Sequence, residues 1–332
     1  MSPQPTAPAL YAGRVPTDAS AARLHVVTGK GGTGKTTVAA ALALALAGRQ
    51  QKVLLIEVEG RQGLAQLFDS PPLPYAETRL ATSRGGEVIG LSVDPEAAML
   101  EYLEMFYNVK RAGSMLRKMG AIDFVTTIAP GLRDVLLTGK VKEATTRTGR
   151  DGRPAFDAVV LDAPPTGRIT AFLQATHEVA GLTKIGPIHR QSTGVIDLLH
   201  SPRTAVHIVT LLEEMPVQET LDAAVELRAA GYRLGQVFVN RARPELVGAV
   251  RPDPALLATG LAAAGLGAEL APGLAREMAG YGERQRLQAR VAGELETLGV
   301  PPRRLPELPP PVDLGCLFEL AEAMHVGEWL AA

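Results

Sequence analysis

Short apolar runs alternate with helix-forming stretches along most of the chain. Several of the runs are apolar at successive positions, as parallel strands are when helices cover both faces of a sheet. The predicted strands span residues 24–28, 53–58, 88–93, 158–161, 205–211 and 237–240. Their spacing suits helical crossovers between parallel strands. The pattern therefore predicts an α/β fold built on a doubly wound, mainly parallel sheet.

One interval lacks this alternation. Residues 94–155 contain no convincing strand pattern, and the spacing of their apolar positions is typical of helices. The predicted helices in this interval span residues 96–108, 111–118, 122–129 and 132–146. We therefore expect a helical insertion at about residues 96–150, joined by a second helical piece at about residues 182–201.

The two ends of the chain differ from its body. Residues 1–22 are rich in Pro, Ala and Ser and lack a basic stretch followed by an apolar core, which indicates a flexible tail rather than a signal peptide. Near the other end, the proline-rich residues 301–311 are expected to hold no helix, and a final helix is expected at about residues 313–324. A single domain is therefore predicted over residues 23–332.

A phosphate-binding motif follows the first predicted strand. Residues 29–37 read GKGGTGKTT and match G-x-x-x-x-G-K-[ST]. Glycines let the backbone wrap tightly, and the resulting N–H groups form an anion site with the N-terminus of the next helix. We expect Lys35 to neutralise the β- and γ-phosphates and Thr36 to bind Mg²⁺. The candidate ATP- and ADP-binding residues of this loop are Gly29, Gly31, Gly32, Thr33, Gly34, Lys35, Thr36 and Thr37.

A second nucleotide-handling motif begins at the fourth predicted strand. This strand is apolar and ends in Asp162, in the manner of a strand that presents a carboxylate to the Mg²⁺ shell. The next residues, 163–167, read APPTG, which is a stiff turn followed by an N–H group suited to a γ-phosphate. Asp162 is therefore predicted to hold Mg²⁺ together with Thr36, and Thr166 and Gly167 are predicted to contact the nucleotide.

Composition narrows the class of protein. The net charge is −1, and the absence of a basic excess argues against a dedicated nucleic-acid binder. The apolar helix predicted at residues 38–47 is too short to span a bilayer, so no transmembrane segment and a cytoplasmic location are expected. The chain has one cysteine, Cys316, which excludes an internal disulfide and a multi-cysteine metal cluster within the chain.

The phosphate loop carries a further lysine, Lys30, directly after its first glycine. This variant resembles the deviant Walker A motif, KGGxGKT, of a class of dimeric ATPases. The class includes partitioning and cell-division ATPases, the nitrogenase iron protein, the arsenite-pump ATPase and the ATPase that targets tail-anchored proteins. The resemblance implies that Lys30 crosses the dimer interface and acts catalytically on the nucleotide of the partner subunit, where it stabilises charge on the transferring phosphoryl group.

Other motifs resemble the arsenite-pump and tail-anchored-targeting (ArsA-like) ATPases in particular. Residues 162–168, DAPPTGR, resemble that family's DTAPTGH motif, and residues 57–68 look closest to its actinobacterial branch. Residues 130–134, 216–220 and 239–241 also resemble family motifs. The resemblance implies that Asn240 reads adenine and that the loop at 306–309 covers the base. It also implies a homodimer, or a heterodimer with a paralogous ArsA-like subunit, since two such subunits are often encoded together in that branch.

The chain departs from this family at the first switch. Glu59 aligns with the aspartate that orients the attacking water, so Glu59 is a candidate catalytic residue with one more methylene. Because a displacement of about 1 Å can cost on the order of 10²-fold in rate, slow hydrolysis is expected. The alternative is a structural contact, for example with Arg61. Gln62 and Arg168 replace family histidines, which predicts altered coupling between the switches.

The motifs leave two functions open. In the first, the chain is a Mg²⁺-dependent ATPase, and its dimer opens and closes the helical insertion to handle a hydrophobic client or to regulate a membrane or transport partner. In the second, it is a non-hydrolysing or very slow ATP-binding scaffold in a heterodimer with a paralogous ATPase. The apolar residues of the insertion fit either a client groove or, as we favour, a core stripe. Arsenite sensing and a cysteine-held zinc or iron–sulfur centre both need thiolates that Cys316 alone does not supply.

Overall fold

A computed structural model describes residues 22–107, 130–182, 187–244 and 253–329. The strands are β1 Leu24–Gly29, β2 Lys52–Glu57, β3 Thr78–Ser83, β4 Gly86–Ser92, β5 Ala158–Asp162, β6 Thr204–Thr210, β7 Leu234–Ala242 and β8 Arg303–Pro306. The helices are α1 Lys35–Ala47, α2 Gly63–Leu67, α3 Pro95–Tyr107, α4 Pro130–Thr146, α5 Thr166–Leu182, α6 Pro187–Leu199, α7 Glu214–Ala229, α8 Pro254–Ala263, α9 Ala271–Glu296, α10 Leu314–Ala323 and α11 Val326–Trp329, with a 3₁₀ turn at Ala268–Leu270.

The strands form one eight-stranded sheet in the order β3-β4-β2-β5-β1-β6-β7-β8. Only β3 runs antiparallel to its neighbour, whereas the other described pairings are parallel. The predicted α/β class with a mainly parallel sheet is confirmed. Chain order reverses beside β1, which lies between β5 and β6, and ligands of open α/β sheets bind at the carboxyl ends of strands at such a point.

Apolar side chains cover both faces of the sheet. Successive residues of a strand point to opposite faces, and in β2 this places Leu54 and Ile56 in one core cluster and Val53 and Leu55 in the other. The first cluster includes buried residues of α4, α5, α6, α7 and α9. The second includes α1, α10 and α11. Burial on both sides explains why the central strands read as continuous apolar runs.

Two edge strands were not predicted from the sequence. Strand β3 is antiparallel to β4 and has only half-buried or exposed side chains, so it lacks an apolar run. Strand β8 lies in the proline-rich segment beside β7, and Leu305 is its one buried residue. Edge strands tolerate proline because one side makes no ladder hydrogen bonds. The helix predicted at about residues 313–324 is α10, which begins after Asp313, whose side chain accepts a hydrogen bond from the Cys316 N–H, and the short helix α11 follows it.

Part of the expected helical insertion is described. Helices α3 and α4 lie close to the predicted bounds of the first and last helix, and α6 lies within the predicted second piece. The helices predicted at residues 111–118 and 122–129, and nearly all of the predicted tail, lie outside the described residues. Helix α4 packs against α3, α5 and α6.

Two buried histidines lie in contact within the sheet. The Gln236 N–H donates to His207 Nδ1 over 2.9 Å, which leaves the His207 Nε2–H to donate to His25 Nδ1 over 3.0 Å. Both rings are therefore neutral. Burial lowers the pKa of His25 to about 4, and burial together with the neighbouring His25 lowers that of His207. His207 is therefore a hydrogen-bonded core residue.

This pair predicts a loss of stability in mild acid. Because the folded-state pKa of His25 lies below the ordinary value of 6.5, the unfolded chain binds more protons between pH 6.5 and about 4. We expect the advantage of the wild type over a His25→Leu/His207→Leu variant to shrink between pH 6.5 and 5 by about 1.5 kcal/mol from His25 alone, and by more in total because the pKa of His207 is lowered too. Urea unfolding of both proteins measures this difference and cancels the other titrating groups. A difference that does not change with pH would contradict the neutral pair.

Candidate nucleotide site

The phosphate loop is held in close contact with two neighbouring strands. Gly34, which precedes α1, has φ +88°, a left-handed conformation that glycine adopts without strain. A Cβ at this position would lie 2.4 Å from Asn240 Nδ2 at the end of β7. At Gly29 a Cβ would lie 2.2 Å from the carbonyl oxygen of Val209 in β6. Gly29 is therefore required by the close backbone of β6, whereas Gly34 is favoured by its left-handed φ and by the adjacent Asn240 side chain.

Thr36 and Asp162 lie together, as their predicted shared role requires. Strands β1 and β5 are parallel neighbours, so the start of α1 and the end of β5 meet at one edge of the sheet. The Thr36 hydroxyl donates to Asp162 Oδ2 over 2.7 Å. Lys35, at the first position of α1, is 8% exposed, and its charge offsets part of the increase in the Asp162 pKa that burial causes. The Thr36 hydroxyl, the Lys35 ammonium and the Asp162 carboxylate thus lie near one another at this edge of the sheet.

The Asp162 carboxylate lacks part of its expected hydrogen bonding. Its Oδ1 is buried and has no hydrogen-bond partner among the described residues. Burial raises the pKa of Asp162 to about 6, and the charges of Glu57 and Glu59 add to this increase. A buried, unpaired carboxylate oxygen beside a hydroxyl is a fitting ligand for a hard divalent cation. These residues therefore fit Mg²⁺.

Lys30 forms an ion pair within its own chain. Its Nζ donates to Glu219 Oε1 of α7 over 2.5 Å, and both side chains are about one-third exposed, 31% and 35%. The other Glu219 oxygen accepts a hydrogen bond from the Thr166 hydroxyl over 3.3 Å. Glu219 therefore joins the phosphate loop to the first residue of α5.

The first switch segment runs from the end of β2 into α2. Glu59 is partly exposed, with 22% of its side-chain surface accessible, and lies 3.8 Å from Arg61 Nε. Gln62 contacts the backbone of Leu73 twice, donating to its carbonyl oxygen over 3.2 Å and accepting from its N–H over 2.7 Å. The residue that replaces a family histidine therefore fastens the loop after α2, a role that the sequence did not reveal.

The segment after β5, residues 163–168, which we call the second switch segment, leads to the helical insertion. Arg168, in the first turn of α5, lies 3.5 Å from Asp134 Oδ2 of α4. Further along the same two helices, the Thr138 and Thr176 hydroxyls are hydrogen-bonded over 2.9 Å. Helices α4 and α5 also pack along their length. The segment that follows Asp162 is thus bonded to the insertion.

Asn240 lies at the phosphate loop. Its Nδ2 donates to the carbonyl oxygen of Thr33 over 2.9 Å, and the residue is 6% exposed. A second N–H and the amide oxygen remain available to a base. Next to it, Arg243 forms an ion pair with Glu307 over 2.6 Å, which connects the segment after β7 to the loop at 306–309. Adenine recognition by Asn240 stays a prediction.

Two acidic residues at the site were missed from the sequence. Glu57 was assigned only to a strand, and Glu219 only to a motif at a helix start. Glu57 is 2% exposed, and one of its oxygens accepts the Gly63 N–H over 2.9 Å. A charged residue that ends an otherwise apolar strand was the available signal for Glu57. No local signal pairs Glu219 with Lys30, because the two residues are distant in sequence.

A phosphate loop that follows the central strand of a doubly wound sheet defines the P-loop nucleoside triphosphatases. Within this class the chain belongs to the anion-transporting ATPase family, whose sequence model matches residues 22–201. This membership confirms the resemblance to ArsA-like ATPases. It supports ATP binding and hydrolysis in general. No helix in the described part of the chain is both long and apolar enough to cross a bilayer.

Curated relatives cover two levels of similarity. ATPase BagA of Mycobacterium tuberculosis is 53% identical over 93% of this chain and 94% of its own length. The arsenical pump-driving ATPase of Escherichia coli is 25% identical over 66% of this chain, and the match covers 39% of that longer protein. ATPase get3 of Schizosaccharomyces japonicus is 26% identical over 51% of each chain.

Proposed function

We propose that this chain is a Mg²⁺-dependent ATPase whose dimer switches the helical insertion between open and closed arrangements. The Thr36–Asp162 hydrogen bond of 2.7 Å, beside an unpaired Asp162 oxygen, is the observation that carries this proposal. Lys35 and the loop N–H groups bind the phosphates of ATP and ADP, and Thr36 and Asp162 hold Mg²⁺. Bound Mg²⁺ supplies charge neutralisation at the β- and γ-phosphates.

The contacts of the second switch support the coupling to the insertion. Thr166 and Gly167 begin α5, where they are positioned to respond to a γ-phosphate, and Arg168 follows at once. The Arg168–Asp134 contact transmits a shift of this segment to α4. A γ-phosphate that orders such a segment releases it on hydrolysis. ATP turnover then changes the position of the helical insertion.

The dimer and its client are the finer parts of the proposal. Lys30 acts on the nucleotide of a second subunit, which is either another copy of this chain or a paralogous ArsA-like ATPase. The insertion handles a hydrophobic client or regulates a membrane or transport partner. Met99 of α3 packs against the core, which supports the core interpretation for that residue. Most other apolar residues of the predicted stripe lie outside the described side chains.

Size-exclusion chromatography with light scattering tests the switch. We expect the purified chain, alone or with a paralogous subunit, to form a dimer with ATP and Mg²⁺. The dimer population is expected to be smaller with ADP. An apolar helical peptide immobilised on resin then tests for a client, with an equally long polar peptide as control. Identical dimer populations in ATP, in ADP and without nucleotide would refute the switch.

The scaffold alternative is favoured by one observation, the longer side chain of Glu59 at the first switch. If Glu59 positions water imperfectly, Glu59→Asp is expected to raise single-turnover hydrolysis about tenfold, because the shorter side chain restores the family geometry. Glu59→Gln is expected to lower it by about 10²-fold, because the amide is not a general base. Phosphate release from pre-bound ATP gives both rates.

The outcomes separate the two functions. An Asp variant slower than the wild type would contradict the proposed misplacement of the Glu59 carboxylate. Phosphate release that stays at background in the wild type and in Glu59→Asp, with or without a paralogous subunit, would favour the scaffold. Tight ATP binding in both proteins is the control, because it shows that the nucleotide site is intact.

A further inference from the structure

Glu57 and Asp162 end neighbouring strands at the same level of the sheet. The two residues are register partners in the parallel β2–β5 pair, so their side chains leave the sheet on the same face. Both are buried, with 2% and 6% of their surface exposed. The pKa of each carboxyl is raised by burial, and the Glu57 charge raises that of Asp162 further.

Each carboxylate has one oxygen that is bonded and one that is not. Glu57 Oε1 accepts the Gly63 N–H over 2.9 Å, and Asp162 Oδ2 accepts the Thr36 hydroxyl over 2.7 Å. Glu57 Oε2 and Asp162 Oδ1 are buried and find no hydrogen-bond partner in the part of the chain that the structure describes. Buried polar atoms without a partner are costly and rare in native proteins. The Gly63 contact accounts for Oε1 but not for Oε2.

Gly63 lies beside both Glu57 and Thr36. A Cβ at Gly63 would lie 3.1 Å from Thr36 Cγ2 and 3.6 Å from Glu57 Oε1. Gly63 is therefore next to both side chains, and Glu57 is connected to Thr36 in two ways, through Gly63 and through its register partner Asp162, which accepts the Thr36 hydroxyl. Glu59 lies two residues further on, outside the strand, and is partly exposed.

We propose that Glu57 is a second carboxylate of the Mg²⁺ site. Its Oε2 belongs to the coordination environment of the cation, while its Oε1 accepts the N–H of Gly63, the first residue of α2. The inference rests on the proposed Mg²⁺-dependent nucleotide site and adds a residue to it. Hard divalent cations take carboxylate oxygens, and Mg²⁺ in nucleotide sites is commonly bound by one or two carboxylates together with phosphates. Glu57 thereby links the metal directly to the first switch.

The proposal is tested by Mn²⁺ binding in the presence of ADP. The EPR signal of free Mn²⁺ decreases as the ion binds, and this decrease gives the affinity. Glu57→Gln is expected to weaken Mn²⁺ binding about tenfold, because loss of a group in the metal's coordination environment costs about 10–100-fold. ADP affinity in EDTA is expected to stay at the wild-type value. Glu87→Gln, which removes one negative charge at the opposite end of β4, is the matched control and is expected to bind Mn²⁺ as the wild type does.

The possible results distinguish this inference from the function on which it rests. Wild-type Mn²⁺ affinity in Glu57→Gln, with a loss in Asp162→Asn, would overturn the role of Glu57 and leave the nucleotide site standing. No Mn²⁺–ADP binding by the wild type would overturn both. If Glu57→Gln does not fold, Glu57→Ser removes the carboxylate in a smaller side chain, and undiminished Mn²⁺ affinity in that variant would contradict the proposal equally.

Discussion

Lys30→Ala is expected to lower the rate of ATP hydrolysis by about 10³-fold, the lower end of the range for a cation supplied to a phosphoryl-transfer site by a partner. ATP affinity is expected to change by less than about threefold, because the lysine acts mainly on charge that develops in the transition state. The ion pair with Glu219 holds Lys30 against α7 in the single subunit, so we expect the partner subunit to supply a Lys30 to the phosphates in addition to the subunit's own Lys35. Single-turnover phosphate release and equilibrium ATP binding measure the two quantities.

Mixing of inactive variants tests whether the lysine acts on the partner. Asp162→Asn removes the carboxylate beside Thr36 but leaves Lys30 in place. In a mixed dimer with Lys30→Ala, the Lys30→Ala subunit retains an intact site and receives Lys30 from its partner. We expect the mixture to be clearly more active than the sum of the two variants. A mixture no more active than that sum would assign Lys30 to its own subunit.

Gly34→Ala is expected to weaken ATP binding by at least about 10²-fold, which corresponds to about 2.7 kcal/mol. The φ of +88° strains any side chain at this position, and the new methyl group would lie 2.4 Å from Asn240 Nδ2. Relief of the backbone strain shifts the loop, and relief of the contact breaks the hydrogen bond from Asn240 to the Thr33 carbonyl, so the loop N–H groups are expected to lose their alignment with the phosphates. Fluorescence titration with a labelled ATP analogue gives the affinity.

Gly31→Ala is the matched control for this prediction. A Cβ at Gly31 meets no atom within 4 Å, and its φ lies outside the left-handed range. We expect Gly31→Ala to bind ATP within about threefold of the wild type, since a strain-free substitution leaves the loop in place. Far-ultraviolet circular dichroism shows whether both variants are folded. Equal ATP affinities in folded Gly34→Ala and Gly31→Ala would contradict the proposed geometry of the loop.

The sequence predicted the parts of the fold that depend on local pattern. The six central strands are apolar enough to be recognised, and the phosphate loop is defined by contiguous residues. Strands β3 and β8 were missed because edge strands are half exposed, and their pairing depends on distant partners. The mainly parallel sheet followed from the spacing of the central strands alone.

The residues of the site could likewise be predicted where a local motif marks them, but not where their role depends on a distant contact. Thr36 and Asp162 each follow a recognisable strand, and the structure places them together. The roles of Glu57 and Glu219 depend on strand register and on a contact between α7 and the phosphate loop, which no local pattern encodes. Gln62 shows the same limit, because its bonds to Leu73 arise only when the chain after α2 turns back.

Helix α1 is enclosed on every side, since all residues from 38 to 47 are buried between the sheet and α10. Dense packing resists displacement, so we expect the end of α1 at the proposed phosphate site to keep a fixed position. Any movement that follows the proposed ATP turnover is then expected at the β2–α2 segment and at the start of α5. These two segments can therefore change in sequence to suit a new partner without disturbing the packing of α1.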